Sequence, residues 1–276
     1  MIRYAIISDI HGNMTALEAV MNDIKQQNID RVICIGDIIG KGPNGHECVR
    51  AVKNLCDAVV RGNNDIRYTK SLDEIAGDPD FDYDYFLWTQ KQLKNEDIAY
   101  LRALPMCCEF ILSGRLVRCF HAGPHDVDFN VFNFSSYQDK LELFKKTDYT
   151  TDATADVVVC GHTHFAGYEK LFGYTLVNAG SVGNTLNIIS DNELNNLKIA
   201  DFTMAEYVIL TGEDDRKIGD ISIEFRNVPY DKQKEIDAYN YFNDKNNIYK
   251  NEIIFGEYRF LDRIEKALER NGVKKW

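Results

Sequence analysis

No stretch of this 276-residue chain is apolar for long enough to cross a bilayer. The first residues also lack the layout of a secretory signal, because a lone Arg3 and a short apolar stretch end abruptly at Asp9. Positive charge is not in excess. Thirty-two Lys and Arg against 43 Asp and Glu leave a net charge of −11, which argues against duplex nucleic acid or an anionic membrane as a main partner. An anionic small molecule is not excluded, since divalent cations make one cleft locally positive whatever the global balance. The seven cysteines (Cys34, Cys48, Cys56, Cys107, Cys108, Cys119 and Cys160) are odd in number and contain no C-x-x-C pair. A disulfide framework and a thiolate zinc site are therefore not expected, and a reducing cytoplasm is the expected setting. There is no internal repeat and no Gly/Ser-rich or Pro-rich linker. One domain over 1–276 is expected, with 66–105 as a helical lid or packing insertion and 230–276 as a C-terminal helical extension.

What is present is an ordinary globular composition, 45% hydrophobic and 27% charged, with a recurrent construction: a short apolar run that stops at a polar, ligand-type residue. Tyr4–Ile7 runs into Asp9 and His11; Val32–Ile35 runs into Gly36-Asp37; Ala58–Val60 runs into Arg61-Gly62-Asn63-Asn64-Asp65. Between them, Leu17, Val20, Met21 and Ile24 recur at helical spacing, predicting a helix over 14–27, and Val49 and Val52 mark another. Strand, helix, strand, helix, strand predicts a largely parallel βαβαβ unit, and ligands collect at the carboxyl ends of such strands. Farther on, Ser113-Gly114 marks a hairpin whose second arm ends at His121, and 137–146 reads as a helix. Val157–Cys160 ends at Gly161-His162-Thr163-His164, and two short strands flank Phe172-Gly173. Tyr207–Leu210 and Ile221–Phe225 read as closing strands, 190–196 as a polar surface loop, and Phe260 to Leu268 as an apolar helical face. The glycine-rich Gly40–Gly45 stretch lacks the layout of a P-loop and reads as a backbone turn.

A lone D-x-H triplet would be weak: Asp9 could cap the following helix and His11 could be an ordinary polar residue. The set is not weak. D-x-H at Asp9–His11, G-D at Gly36–Asp37, G-N-x-D at Gly62–Asp65, the single His121 and G-H-x-H at Gly161–His164 together resemble the calcineurin-like metallophosphoesterase superfamily. The resemblance runs from residue 3 to about residue 184. It implies an α/β fold of two packed mixed β-sheets flanked by helices, with a site at the strand ends. It also implies two divalent metal ions: Asp37 bridges them, Asp9, His11 and His164 complete one, and Asn63, His121 and His162 complete the other. Mixed N/O donors without thiolate suit Mn or Fe foremost, with Co, Ni and Zn compatible, rather than Mg. Two such ions bring the pKa of bound water towards ~7, providing a nucleophile without a side-chain base.

One position departs from the commonest pattern of the superfamily. Asn64 stands where many members have a histidine, and an amide is no general acid at neutral pH. The departure favours pyrophosphate or activated ester bonds, whose leaving groups need little protonation. His125, four residues after His121, is either a replacement acid or a loop residue, and Asp65 either orients a ligand or caps a turn. Gly36–Pro43 and Asn178–Gly183 look like bacterial predicted phosphoesterases that include asymmetric diadenosine tetraphosphate hydrolases. The expected substrate is a small nucleotide or phosphodiester. The alternatives are a phosphomonoesterase or protein phosphatase, and a non-catalytic interaction module on the same fold. The aromatic stretch Asp78–Trp88 either stacks on a base or packs the excursion onto the domain.

Overall fold

Alternation along the apolar runs decides how the chain layers. Ile6, Ile33 and Ile35 face one way while their neighbours Ala5, Ile7, Val32 and Cys34 face the other. The structure, a computed structural model, describes residues 1–75, 82–132, 135–186, 188–190, 197–199, 204–214, 217–240 and 248–255. In chain order these form β1 (Ile2–Ile7), α1 (Met14–Ile24), β2 (Arg31–Cys34), α2 (Gly45–Leu55), β3 (Ala58–Val59), α3 (Asn63–Arg67), α4 (Leu72–Ile75), α5 (Tyr83–Lys91) and α6 (Asn95–Ala103). Then come β4 (Cys107–Leu112), β5 (Arg115–Phe120), α7 (Tyr137–Glu142), β6 (Val157–Cys160), β7 (Gly167–Leu171), β8 (Tyr174–Asn178), β9 (Ile188–Ser190), β10 (Leu197–Ile199), β11 (Ala205–Gly212), β12 (Ser222–Val228), α8 (Lys232–Ala238) and α9 (Ile248–Phe255).

Two five-stranded mixed sheets result, in the orders β12-β11-β1-β2-β3 and β4-β5-β6-β8-β7, beside a small β9-β10 ribbon. In the first sheet β1, β2 and β3 are parallel, as the strand-helix rhythm predicts, and β11 pairs antiparallel with β1 from Ile2↔Gly212 to Ile6↔Val208. In the second, β5, β6 and β8 are parallel. The inner faces meet through Ile6, Ile33, Ile35, Val208 and Leu210 on one side and Val117, Cys119, Val157, Val159 and Val177 on the other. The outer face of the first sheet packs under α1 and α2, and that of the second under the segment around Leu143 and Phe144. This four-layer arrangement aims both sets of parallel strands at one edge. All seven cysteines are free, and among the described residues no helix is long and apolar enough to cross a membrane.

Two helices are shorter than their periodicity predicts. α1 is capped by Asn13, whose side chain accepts from the Ala16 N–H at 2.9 Å, so Asp9 is not the cap. It stops at Ile24 because the polar run after it turns, with Asn28 at φ 51°. α7 stops at Glu142 because Leu143 and Phe144 turn into the core, and the buried Arg118 guanidinium takes the carbonyls of Phe144 and Lys145 at 3.0 and 2.8 Å. The polar loop expected at 190–196 falls almost wholly outside the described residues, and the apolar face at 260–268 and Asp78–Phe81 of the aromatic stretch lie outside them.

One core carboxylate offers a pH test away from the site. Glu206, on β11, is 8% exposed, and its Oε2 has no hydrogen-bond partner among the described residues. Burial pushes its pKa up to about 8, far above an unfolded glutamate. The folded chain therefore holds a proton that the unfolded chain has released, so stability falls as pH rises from about 4.5 to 8. Glu206→Gln is expected to raise the melting temperature at pH 8 and to leave it nearly unchanged at pH 5. Equal shifts at both pH values would contradict this account.

Candidate metal centre

Backbone hydrogen bonds lace the loop after β1 to the loop after β2, and the loop after β5 to the loop after β6. Asp9 N–H donates to Gly36 O at 3.0 Å, His11 N–H to Asp37 O at 2.9 Å, and Gly161 N–H to His121 O at 2.8 Å. This lacing forces an uncommon backbone. Asp9, His11, Asp37, His162 and His164 all take positive φ, between 52° and 64°. Non-glycine residues adopt that region at a cost on the order of 1–2 kcal/mol each, and such strain gathers at functional sites. Two glycines make room. A Cβ on Gly62 would strike the Asp37 carboxylate, and one on Gly161 would strike Ser8 Oγ and the Asp9 carboxylate.

All seven residues expected as ligands come together. Asp9 Oδ1 lies 3.2 Å from His164 Nε2 and 3.6 Å from His11 Nε2. The two Nε2 atoms are 3.1 Å apart. On the other flank, Asn63 Oδ1 lies 3.0 Å from His121 Nε2 and 3.2 Å from His162 Nδ1. Asp37 Oδ2 stands between the groups, 3.8 Å from His11 Nε2 and 3.5 Å from His121 Nε2. Asp9 reaches both groups as well, its Oδ1 being 3.9 Å from His121 Nε2. Among the described residues two clusters, Asp9–His11–His164 and Asp9–Asp37–His121, have the geometry to hold an ion; Asp9 is common to both, and Asp37 belongs to the second.

The donor set fits divalent cations. Asp9 Oδ2 is spent on Ser8 Oγ and His162 N–H at 2.6 and 2.9 Å, whereas its Oδ1 is buried without a hydrogen-bond partner among the described residues. His121 Nδ1 sits 3.0 Å from Ile35 O and His164 Nδ1 2.5 Å from Asn184 O. Each Nδ1–H then donates to a carbonyl, leaving Nε2 to offer its lone pair to the cluster. Donor atoms roughly 3 Å apart are what bonds of about 2.1 Å to one shared cation require. Charge gives the same reading. Burial disfavours a charged His121, yet Asp37 and Asp9 push its pKa up to about 10. Burial likewise opposes charge on the two aspartates, and the neighbouring imidazoles still hold both below the usual carboxylate range. Burial and the His121 charge drive His162 down to about 3. Without a cation the cluster thus relies on an imidazolium, placed where a metal charge would satisfy both carboxylates.

The three other expected site residues have different surroundings. Asn64 donates its backbone N–H to Asp37 Oδ1 at 2.8 Å and its side-chain amide to Asp37 Oδ2. Asp65 turns both carboxylate oxygens to backbone N–H groups. It is fully buried beneath the loops, accepting from Ile38 and Ile39 N–H at 2.9 and 3.3 Å with Oδ1 and from Gly62 N–H at 2.9 Å with Oδ2. Burial and the Asp37 charge push its pKa up to about 7. His125 is exposed and does not line the cavity over the cluster; Asp128 and Asn130 of the same loop do. That cavity, about 380 Å³, is also lined by Lys41, Arg67, Tyr68 and Tyr85. Lys41 lies in the stretch read as a plain turn, and Arg67 lies one helical turn after Asn63 and Asn64, a spacing that could have revealed it. Of the aromatic stretch, Tyr85 reaches the cavity and stacks on Trp88 at 5.5 Å, while Tyr83 directs its hydroxyl to Ile75 O.

Two facing mixed sheets that pool carboxylate, amide and imidazole donors at one edge define the metallophosphoesterase class of α/β sandwich. The family model of the calcineurin-like phosphoesterase superfamily domain matches residues 2–191, and the chain belongs to that superfamily. An uncharacterized protein of Methanocaldococcus jannaschii is 33% identical over 184 residues, covering 64% of this chain and 69% of its own. A symmetrical bis(5'-nucleosyl)-tetraphosphatase of Psychromonas ingrahamii is 32% identical over 80 residues, only 28% of this chain and 29% of that enzyme. The crystal structure of a metallophosphoesterase from Sphaerobacter thermophilus shares the fold with a TM-score of 0.64 at 24% identity, over 86% of this chain and 92% of that one. That of a hypothetical protein from Pyrococcus horikoshii OT3 does so with 0.72 at 19% identity, over 94% and 100%.

Proposed function

We propose that the chain is a binuclear metal-dependent phosphoesterase that hydrolyses pyrophosphate or activated diester bonds of small nucleotides, dinucleoside tetraphosphates among them. Asp9, His11 and His164 would hold one cation and Asn63, His121 and His162 the other, with Asp37 between them; Mn or Fe suits these donors best, and Co, Ni and Zn are compatible. Bound there, the cations supply Lewis acidity towards phosphoryl oxygens and acidify water for attack near neutral pH.

The observation that carries the choice of bond is the commitment of Asn64. Its backbone N–H and one amide N–H go to Asp37, and the amide N–H that remains can donate a hydrogen bond but cannot protonate a leaving oxygen at neutral pH. Arg67 lines the same cavity one helical turn on, exposed and without a side-chain hydrogen bond or ion pair among the described residues. A guanidinium cannot protonate an alkoxide, but it does stabilise a departing phosphate. Tyr68 and Tyr85, set edge to face at 5.9 Å in the cavity wall, give a base an aromatic surface. The stretches Gly36–Pro43 and Asn178–Gly183, and the short match to a tetraphosphatase, support a dinucleoside polyphosphate.

The test is a panel assayed with Mn-reconstituted protein: diadenosine polyphosphates, a chromogenic phosphodiester and a chromogenic phosphomonoester. The dinucleotides are expected to exceed the monoester at least about tenfold in kcat/KM. Arg67→Ala is expected to cost the dinucleotides about 10–100-fold while sparing the chromogenic diester, whose leaving group needs no cation. A panel in which the monoester is fastest, with Arg67→Ala neutral, would overturn the proposed bond preference.

A further inference from the structure

The family match ends at residue 191, yet a buried carboxylate from α9 reaches the candidate centre. Glu252 is 3% exposed, and its Oε2 accepts from the Lys41 ammonium at 3.1 Å and from the Asn184 side-chain amide at 3.0 Å. Lys41 also donates to Asn184 Oδ1 at 2.7 Å. The Asn184 side chain, itself 1% exposed, is therefore gripped at both ends. Its backbone carbonyl is the one that receives His164 Nδ1–H at 2.5 Å. Asn184 N–H donates to Ser181 Oγ at 2.8 Å, and that hydroxyl donates to Asp9 O, also at 2.8 Å. α9 is anchored on its own account. Tyr249 is buried and gives its hydroxyl to Glu235 Oε1 at 3.0 Å, while Glu235 takes Thr15 Oγ1 of α1 at 2.9 Å.

We infer that Glu252 is a positioning residue of the metal centre: through Asn184, and balanced by Lys41, α9 fixes the orientation in which His164 offers Nε2 to a divalent cation. The physical reason is that an imidazole ligand binds well only when its ring is held in one tautomer and one direction, and the carbonyl that holds it is as steady as the residue carrying it. Burying a carboxylate costs free energy unless it is paired, and here it meets the ammonium of Lys41, which lines the cavity over the cluster, and the amide of Asn184, which carries the carbonyl that holds His164.

The inference rests on the binuclear reading, and the experiment separates the two. Full-length wild type, Glu252→Ala and Glu252→Gln are titrated with Mn²⁺ by calorimetry and with Co²⁺ by visible absorption, and unfolding is followed in chelator. Glu252→Ala is expected to weaken one of the two equivalents about 10–100-fold and to alter the Co²⁺ bands. Glu252→Gln, which keeps an oxygen facing Asn184, is expected to recover part of the loss. If wild type binds no cation, the binuclear reading fails. If wild type binds two and both variants bind them with the same affinity and Co²⁺ spectrum, the positioning role fails even where the variants unfold earlier. A variant that weakens both equivalents equally, in step with its melting temperature, would also overturn it.

Discussion

Asp37→Asn is expected to lower kcat/KM by about three orders of magnitude, roughly 4 kcal/mol of transition-state stabilisation. That loss should exceed the one caused by replacing Asn63, His162 or His164 alone. Asp37 Oδ2 faces imidazoles of both donor groups, at 3.8 and 3.5 Å, so in the proposed scheme its charge would serve two cations where a terminal donor would serve one. An asparagine also turns an N–H₂ towards one of the two donors of Asn64, replacing a hydrogen bond with a clash of like dipoles. Elemental analysis after Mn reconstitution should find about two equivalents per chain in wild type and one or fewer in the variant. Wild-type turnover in a metal-saturated Asp37→Asn protein would refute the bridging role. A wild type saturating at one equivalent with full activity would refute the two-cation scheme itself.

Asp65→Ala is expected to be the most destabilising single change near the site. It would strip three buried backbone N–H groups, those of Ile38, Ile39 and Gly62, of their acceptor. A buried donor left without a partner costs about 1–3 kcal/mol, so the sum is roughly 3–9 kcal/mol out of the 5–15 kcal/mol typical of a folded domain. The same three groups fix the loops of Asp37 and Asn63, so cation affinity should fall with stability. Asp65→Asn keeps one acceptor oxygen and should lose about half as much. Denaturant midpoints measured in chelator, beside Mn²⁺ titrations, give both quantities. A stable Asp65→Ala protein with reduced turnover alone would mean that the carboxyl acts on substrate, which its burial argues against.

The candidate donor positions were legible because each follows an apolar run, and the local cause is visible in residues such as Gly36-Asp37 and Gly161-His162. Which face of each strand meets the other sheet follows from the same alternation. Helix lengths were less legible: nothing in 137–146 announces that Arg118, on another strand, will capture the carbonyls that would have continued α7. Asn64 was visible as a departure, but its commitment to Asp37 depends on a contact across 27 residues. Arg67 could have been found from its helical spacing to Asn63. Glu252 could not, because it meets Asn184 across 68 residues and neither belongs to a local pattern.

The left-handed, interlaced loops have a consequence for how the chain acquires its site. Asp9, His11, Asp37 and Asn63 follow strands of the first sheet, and His121, His162 and His164 follow strands of the second. The first sheet is itself incomplete until β11 returns from residue 205 to pair with β1. Contacts so distant along the chain form late, after most of the entropic cost of loop closure has been met. Before the sheets dock, the first set holds two carboxylates, an amide and one imidazole and the second holds three imidazoles, so neither alone offers the complete donor set. Metal uptake in a refolding experiment should therefore lag the recovery of secondary structure and coincide with docking of the sheets. A centre assembled this way would act as a latch, retaining cations only on chains that had finished folding.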